Sequence, residues 1–545
     1  MNRYAKAGTV ALIVLAFTLG LPTSAHYRAK RKVEAYRQRL RAKGEKLTTS
    51  ELRPQVSAEA LYGAGALLDA AGHLGYPISS NLPPTMKIVA PGRALVAWAQ
   101  PELPTMDSSN LWPELSRMVA ENQGQLDALR AALASPRLMF DLDYSREANL
   151  QLGYLSTLKQ AAQWLSAAAV LDLHEGRLTN AWADVMALSA LAAHSPEEPV
   201  MISELVRIAI GSIAFNATWE ALQSPAWREE QLSALQAAWE SVDLLAQAES
   251  VLAMERPFAQ SLFADARRSH SVVSGAFGAA PTTGFGELAE MGKEMLTDPK
   301  GALSDFAHRY PGYWNWRWWQ SYDDELASLE SLQAAIEAVR AVRQRHEFAP
   351  ATKLLAQRLE SIHRTHPAAG RWLEFAPEGI IGPFLPRIST FETQRSLLIA
   401  AIALKRRQLR HGAYPGELAA LAPEFLRGVP RDPIDGQPLR YRLNADGSFL
   451  LYSVGQDGQD NGGDPTPAPP AAARQWWQGR DVVWPRPATA EMVKADFEKE
   501  RIEREKRTSP PLSESARRAV ARRYGLRSTP PGPATNTTPP APAAR

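Results

Sequence analysis

Apolar positions repeat at helical spacing through most of the region between residues 57 and 380. One track with i, i+3, i+4, i+7 intervals consists of Tyr154, Leu158, Ala161, Leu165 and Ala168. A second amphipathic run covers Leu178–Ala193, and Gly176 interrupts the pattern between the two. This arrangement predicts two antiparallel helices joined by a short turn. Because no period near 34 residues is sustained, the pattern favours irregular helical hairpins over a regular solenoid.

The same style of pattern predicts further long helices along the chain. They cover Val200–Leu222, Trp227–Leu252, Tyr322–Gln344, Ala349–Thr365 and Phe391–Leu409. A segment broken by Gly and Pro, Pro377–Pro386, precedes the last of these helices and predicts a domain boundary.

After residue 409 the pattern changes to short β-like runs. Leu439–Leu443 and Ser448–Ser453 flank the turn sequence Asn444–Gly447, which is a hairpin signal, and Asp481–Trp484 predicts a third strand. The predicted fold class is therefore α+β: mainly irregular α-hairpins, with a small C-terminal module of one helix plus an antiparallel β-sheet.

An apolar stretch near the N-terminus predicts a membrane segment. Residues 7–27 contain no Asp, Glu, Lys or Arg, and the mostly apolar Gly8–Leu21 follows Arg3 and Lys6. The uncharged span is long enough to cross a bilayer, and Thr23–Ala25 offers the small residues of a signal-peptidase site. Both a retained anchor and a cleaved signal fit this pattern.

The flank after this segment is strongly basic. Nine Lys or Arg and two Glu between Arg28 and Lys46 give a net charge of +7. The positive-inside rule would keep this flank in the cytoplasm, and a solvated helix lying over anionic headgroups would satisfy the charges.

These observations divide the chain into six predicted segments. They are a signal anchor or transmembrane segment (1–27), a basic juxtamembrane helix (28–56), an α-helical domain (57–380), a C-terminal module (391–484), a charged helical tail (485–525) and a disordered Pro/Ala-rich tail (526–545).

Composition excludes several functional classes. The 545 residues include no cysteine, so a thiol nucleophile, an iron–sulfur cluster and a cysteine-ligated zinc are excluded. The formal net charge of +3 argues against a globally basic nucleic-acid binder. The chain also lacks a P-loop, a dinucleotide fingerprint, Gly-x-Ser-x-Gly and His-Glu-x-x-His. We therefore expect a protein that is not an enzyme and does not bind nucleic acid.

The segment Asp457–Asp464 concentrates three carboxylates and two amides among glycines. Hard oxygen donors on a flexible loop are what Ca²⁺ requires, although the spacing is not that of an EF-hand. An acidic, solvated turn that needs no ion explains the composition equally well.

Flanking motifs resemble a known family. After the predicted helix come, in order, His411–Leu418, Val429–Pro433, Gly436–Tyr441 and Tyr452–Gly458. This order resembles the C-terminal half of the major pseudopilin (protein G) of type II secretion systems, over Phe391–Trp484. The resemblance implies a small antiparallel sheet and a loop that holds a structural Ca²⁺. The ligands it implies are Asp457, Asp464 and Asp481, the carbonyl of Ser453 or Val454, and Asp460 as an extra candidate.

The chain departs from the family at its N-terminus. Ala16-Phe17-Thr18 lacks the glutamate of the leader cleavage site, and residues 28–390 intervene between anchor and module. The layout is instead similar to that of large, uncharacterised bacterial membrane-anchored proteins. We expect a single-pass inner-membrane scaffold or interaction protein with unknown protein partners. Because free Ca²⁺ is scarce in the cytosol, we expect its bulk to be periplasmic.

Two alternatives use other residues. A hydrolase or glycan-binding enzyme would use the aromatic cluster Trp314–Trp319, which the pattern favours as a plug of the core. An accessory pseudopilin of a secretion system is the other alternative. His363 and His366 have helical spacing, but without a third ligand the pattern favours histidines at the surface or packed against a partner over zinc.

Overall fold

The computed structural model describes residues 24–75, 82–105, 108–134, 138–193, 198–269, 316–367, 377–467 and 475–508. The predicted anchor up to residue 23 and the predicted Pro/Ala-rich tail (526–545) lie outside the described residues. The described residues fall into two compact units, one ending at Pro487 and one beginning at Ala488.

Helices dominate the first unit. They are α1 (24–42), α2 (Thr49–Leu52), α3 (Ala58–Gly72), α4 (Trp112–Glu121), α5 (Gln123–Leu133), α6 (Tyr154–His174), α7 (Leu178–Ala193), α8 (Met201–Leu222), α9 (Glu229–Ser241), α10 (Leu245–Arg268), α11 (Ser321–Arg345), α12 (Phe348–Thr365) and α13 (Pro377–His411). Short 3-10 turns cover Tyr144–Asn149, Leu418–Leu421 and Trp476–Gln478, and a π-helical turn covers Trp316–Gln320. The second unit contains α14 (Ala490–Thr508), a charge-dense helix.

The six described strands form two small sheets. They are β1 (Ile88–Ala90), β2 (Arg93–Ala94), β3 (Arg440–Leu443), β4 (Phe449–Ser453), β5 (Val482–Val483) and β6 (Arg486–Pro487). One sheet has the order β3-β4-β5 and is antiparallel, as predicted. The other has the order β1-β2-β6, with β2 and β6 parallel, and the sequence did not predict it. The α+β fold class with a mainly helical body is confirmed.

The centre of the helical body is the predicted hairpin. α6 and α7 begin and end close to the predicted limits, and Ala161, Ala168 and Ala181 are fully buried where the helices meet. Small side chains at these positions let the helix backbones approach closely. Gly176 has a φ of +75° in the link between the helices, a conformation that glycine adopts without strain.

α8 packs against this hairpin and against α13. Among the described helices, α8 is the one whose length and apolar composition would allow it to cross a membrane. Its buried face carries Glu204, Arg207 and Glu220, which all make contacts inside the protein. These contacts indicate a core helix.

One predicted helix is divided in two. The pattern predicts a continuous helix over Trp227–Leu252, but α9 ends at Ser241 and α10 begins at Leu245. The carboxylate of Asp243 accepts the backbone N–H of Ala246 at 2.9 Å, which satisfies a free donor at the start of α10. A local hydrogen bond therefore overrides the continuous apolar pattern.

α13 is longer than predicted. It begins at Pro377 and passes through Pro383 and Pro386, where the sequence predicts a broken boundary. Proline is tolerated best near the start of a helix. Burial of Phe384 and Ile388 within this segment offsets the lost hydrogen bonds.

Candidate functional site

The C-terminal module positions its polar residues on a regular hairpin. β3 and β4 pair with Arg440 opposite Tyr452 and Leu443 opposite Phe449. The turn between the strands is closed by Asp446, whose carboxylate accepts the backbone N–H of Ser448 at 2.9 Å. The hairpin therefore fixes the register on which the acidic loop after β4 depends.

Asp432 is a buried centre of this module that the sequence analysis did not select as a site residue. Its carboxylate accepts the backbone N–H groups of Ile434 and Val454, both at 3.0 Å, and the Ser453 hydroxyl at 2.8 Å. Arg440 donates to the other side of the carboxylate at 3.0 Å. Burial raises the pKa of Asp432. An aspartate before a proline, with an arginine eight residues later, is the signal that would have found it.

Asp481 is a second buried centre, and it organises the acidic loop. It is fully buried and accepts the backbone N–H groups of Asn461, Gly463 and Asp464 at 3.1, 2.7 and 3.1 Å. Gly463 has a φ of +83°, and a Cβ there would lie 2.8 Å from Leu450. Glycine is therefore required for the loop to wrap around the carboxylate.

The three other acidic residues of the loop bond separately. Asp457 accepts the N–H of Gln459 at 3.0 Å. Asp460 accepts the Tyr452 hydroxyl at 3.0 Å, and Asp464 accepts the Thr466 hydroxyl at 2.7 Å.

The described residues do not test the predicted calcium site. In the described part of the chain, no group of three or more His, Asp or Glu is arranged to hold a metal. The resemblance implies the backbone carbonyl of Ser453 or Val454 as a ligand, whereas the Ser453 hydroxyl donates to Asp432. Arg440, 2.6 Å from Asp435 and 3.5 Å from Asp460, supplies a positive charge at the loop. Calcium binding by the loop stays a prediction.

The start of α1 lies against the predicted tryptophan cluster. The Nδ1 atom of His26 is 3.3 Å from the backbone oxygen of Trp318, and its ring lies 4.9 Å from the rings of both Trp318 and Tyr322. Trp319 is 47% exposed and Tyr27 is 63% exposed. The end of the predicted anchor and the aromatic cluster therefore occupy the same part of the surface.

Trp316 of this cluster is buried, and its Nε1 donates to Asp324 at 2.7 Å, as a core plug would. Trp314 lies outside the described residues. The neighbouring Asp323 accepts a hydrogen bond from His366 at 2.8 Å. Both carboxylates beside the cluster thus have protein partners, and the hydrolase or glycan-binding interpretation stays a prediction.

α1 is more than a solvated helix over headgroups. Val33 packs into a buried cluster with Leu326 and Leu329 of α11. On the same side Arg37 pairs with the fully buried Glu325, which also accepts Arg267 of α10 at 2.6 Å. The basic helix therefore has one face packed into the helical body and one face in solvent.

A buried ion-pair network holds the segment that follows α1. The carboxylate of Glu45 accepts Arg340 at 2.6 Å, Arg256 at 3.1 Å and Gln333 at 3.3 Å. Arg256 is fully buried. Burial acts to raise the pKa of Glu45, but the bonds from these cations and from Gln333 outweigh it and lower the pKa to about 2. Glu45 is therefore a charged attachment between α1 and helices α10 and α11.

A second glutamate, Glu220, attaches another segment of the chain through backbone amides. Glu220 of α8 is fully buried and accepts the backbone N–H groups of Met86 at 2.8 Å and Ala97 at 3.0 Å. Burial raises the pKa of Glu220 to about 8. This carboxyl fixes the β1–β2 segment to the helical core.

A third buried acidic group lies beside a small cavity. Glu198 accepts hydrogen bonds from Tyr154 and from Ser203, the latter at 3.3 Å, and Glu204 lies 3.4 Å from Arg207. Burial raises the pKa of both glutamates to about 7. The cavity they line has a volume of about 20 Å³, which is room for a single water and not for an organic substrate.

His366 bridges two helices and shows no metal geometry. Its Nδ1 lies 2.8 Å from Asp323 and its Nε2 lies 3.3 Å from Glu330, so the two ring nitrogens face different carboxylates. These two carboxylates raise the pKa of His366 to about 9. The ring is therefore a charged clamp between the end of α12 and the start of α11.

No family model, no curated protein and no solved structure matches this chain.

Proposed function

We propose that this chain is a membrane-anchored, non-enzymatic scaffold or interaction protein that presents a pseudopilin-like C-terminal module. The observation that carries the proposal is the construction of α1. The described part of this helix begins within the uncharged N-terminal segment, and it is built into the helical body by apolar contacts and buried ion pairs. An anchor that continues into α1 would hold the whole body against the bilayer.

The surface around the start of α1 supports this placement. Tyr27 and Trp319 are exposed there, and tryptophan and tyrosine are the residues enriched where proteins meet the membrane–water interface. Exposed cations follow immediately at Arg28, Lys30 and Arg31. Each cation near an anionic leaflet contributes about 1 kcal/mol of attraction. Apolar anchor, aromatic residues and cations therefore occur in the order that an interfacial segment requires.

The predicted location is the inner membrane, with a single pass and a periplasmic bulk. The periplasmic orientation is supported by the resemblance of residues 391–484 to a calcium-binding periplasmic module, and it opposes the positive-inside rule for the +7 flank. The module would present its sheet and loop to protein partners, while the buried carboxylates of Asp432 and Asp481 keep both in register.

The test is fractionation of the full-length chain with a reporter fused to its C-terminus. We expect the chain to stay in the membrane pellet after a carbonate wash and a version lacking residues 1–23 to be released. We expect an alkaline phosphatase reporter, which is active only outside the cytoplasm, to be active. Release of the full-length chain by the wash would overturn the membrane anchor, and an inactive reporter on a membrane-bound chain would overturn the periplasmic placement.

A further inference from the structure

A pocket of about 350 Å³ lies between the end of α8, helix α13 and the β2–β6 pair. Its volume is within the range of small-molecule sites. Three cations line it from three elements: Arg93 of β2, Lys405 of α13 and Arg486 of β6. No local pattern in the sequence brings them together, because they are 312 and 81 residues apart along the chain.

The cations of this pocket exceed the anions that face them. Arg93 and Arg486 are register partners in neighbouring strands, an arrangement in which like charges repel. Arg486 lies 3.1 Å from Asp446, whereas Arg93 donates only to the backbone oxygen of Pro487 at 3.3 Å. In the described part of the chain, the carboxylate of Asp446 is therefore the one anion that faces these three cations.

Lys405 is the most enclosed of the three. Its ammonium donates to the backbone oxygens of Leu222 and of Ser224, the latter at 2.8 Å, which places a positive charge at the end of α8. This capping role uses two of three donors. Burial lowers the pKa of Lys405 to about 8. An anion in the pocket would offset the desolvation that lowers this pKa.

The remaining walls of the pocket are aromatic. Tyr414 and Phe449 meet edge to face with their ring centres 4.9 Å apart, and Trp484 lines the same space. Flat apolar walls next to convergent cations are suited to a ligand with an aromatic body and an anionic head.

We propose that this pocket binds a small organic anion, a carboxylate or phosphate carried on a flat apolar group, with Arg93, Lys405 and Arg486 around the anionic head. The head would relieve the repulsion between the paired arginines, and the apolar body would lie on Trp484 and Tyr414. Since the pocket joins α8 and α13 to both sheets, occupancy would tie the C-terminal module more firmly to the helical body.

Calorimetric titration of the full-length chain in detergent tests the site, with benzoate and phenyl phosphate as anionic probes and benzyl alcohol as the neutral control. We expect at least one anionic probe to bind and benzyl alcohol to bind at least tenfold more weakly. The variant Arg93→Gln leaves the cap on α8 intact and should weaken anion binding at least tenfold. Arg442→Gln removes an exposed arginine of the neighbouring strand outside the pocket and should leave binding unchanged.

The pH dependence gives an independent reading. Arginines do not titrate below pH 9, Asp446 stays ionised, Glu229 nearby is paired with Arg406, and burial raises the pKa of Tyr414 further from this range. Two groups then change charge in this range: Lys405 loses its proton, and Glu220 of α8, whose pKa burial raises to about 8, ionises. Both changes disfavour a bound anion, so affinity should fall at least about tenfold between pH 7 and pH 9. Absence of binding by both anions, or equal binding by wild type and Arg93→Gln, would overturn the proposal, as would an affinity that does not change with pH.

Discussion

Glu45 and Glu220 both attach a distant segment to the helical body, yet their pKa values are shifted in opposite directions. Glu45 lies among the guanidinium groups of Arg256 and Arg340, and its pKa falls to about 2. Glu220 accepts backbone amides, no cation pairs with it in the described part of the chain, and burial raises its pKa to about 8. Burial alone therefore does not determine the charge of a carboxyl, because its hydrogen-bond and ion-pair partners decide which form is retained.

The two attachments should therefore respond differently to pH. The contribution of Glu45 is present above pH 4.5, its ordinary pKa, and is lost as the pH falls toward 2. For Glu220, the folded protein keeps a proton between pH 4.5 and 8 that the unfolded chain has released. That contribution falls as the pH rises through this window, because the unfolded state binds fewer protons than the folded one.

The largest effect is expected from breaking the charged attachment. Glu45→Ala leaves Arg256 buried without its carboxylate, and loss of one partner of a buried pair costs about 3 kcal/mol or more. Urea unfolding would measure the loss. The control Glu34→Ala removes an exposed partner of Arg37 and should change stability by less than about 0.5 kcal/mol. Equal losses in the two variants would show that Glu45 is no more important than a surface residue.

The amide-bound carboxyl should give a smaller effect that depends on pH. Glu220→Gln keeps an oxygen acceptor for the backbone but cannot ionise, so it removes a slope of at most about 1.4 kcal/mol per pH unit. Urea midpoints at pH 5, 6, 7 and 8 should show the variant gaining on the wild type as the pH rises. Other buried acids such as Glu198 contribute equally to both profiles and cancel in the difference. Parallel profiles would contradict the raised pKa.

The smallest expected change in stability concerns the acidic loop. Asp481, like Glu220, accepts backbone amides, and the question is whether a calcium ion also stabilises the loop. If the loop also takes calcium, chelation with EDTA should lower the unfolding temperature of the full-length chain by a few degrees, and excess Ca²⁺ should restore it. Asp457→Ala should abolish this response, whereas Asp446→Ala, outside the loop, should keep it. An unfolding temperature that EDTA leaves unchanged in the wild type would show that calcium does not stabilise the loop and that the backbone amides hold it.

The hairpin of α6 and α7 and the strands β3 and β4 could be predicted because their signals are local. Apolar spacing of 3.6 residues and the turn at Asn444–Gly447 each act over a few positions. The sheet formed by β1, β2 and β6 could not be predicted, since Arg93 pairs with Arg486 across most of the chain. Strands of two or three residues carry too little pattern to identify.

For the candidate sites, composition identified the acidic loop but not the way it is held. The resemblance implied one ligand set that includes Asp457, Asp464 and Asp481, with Asp460 as an extra candidate. In the structure Asp481 is buried, Asp457 and Asp460 are exposed, and Asp464 is half-buried. The strand pairing decides this, because Asp481 directly precedes β5, whose residues pair with β4.

The helical class, the small antiparallel sheet and the order of uncharged segment, basic helix and module follow from spacing and charge along the chain, so the sequence was enough to predict them. The charge state of the buried carboxyls and the meeting of three cations around a pocket follow from the three-dimensional packing. Those properties depend on partners that lie far apart in sequence, as Met86 and Glu220 do at 134 residues. Burial between distant elements sets the energies of such groups, and no local pattern records it.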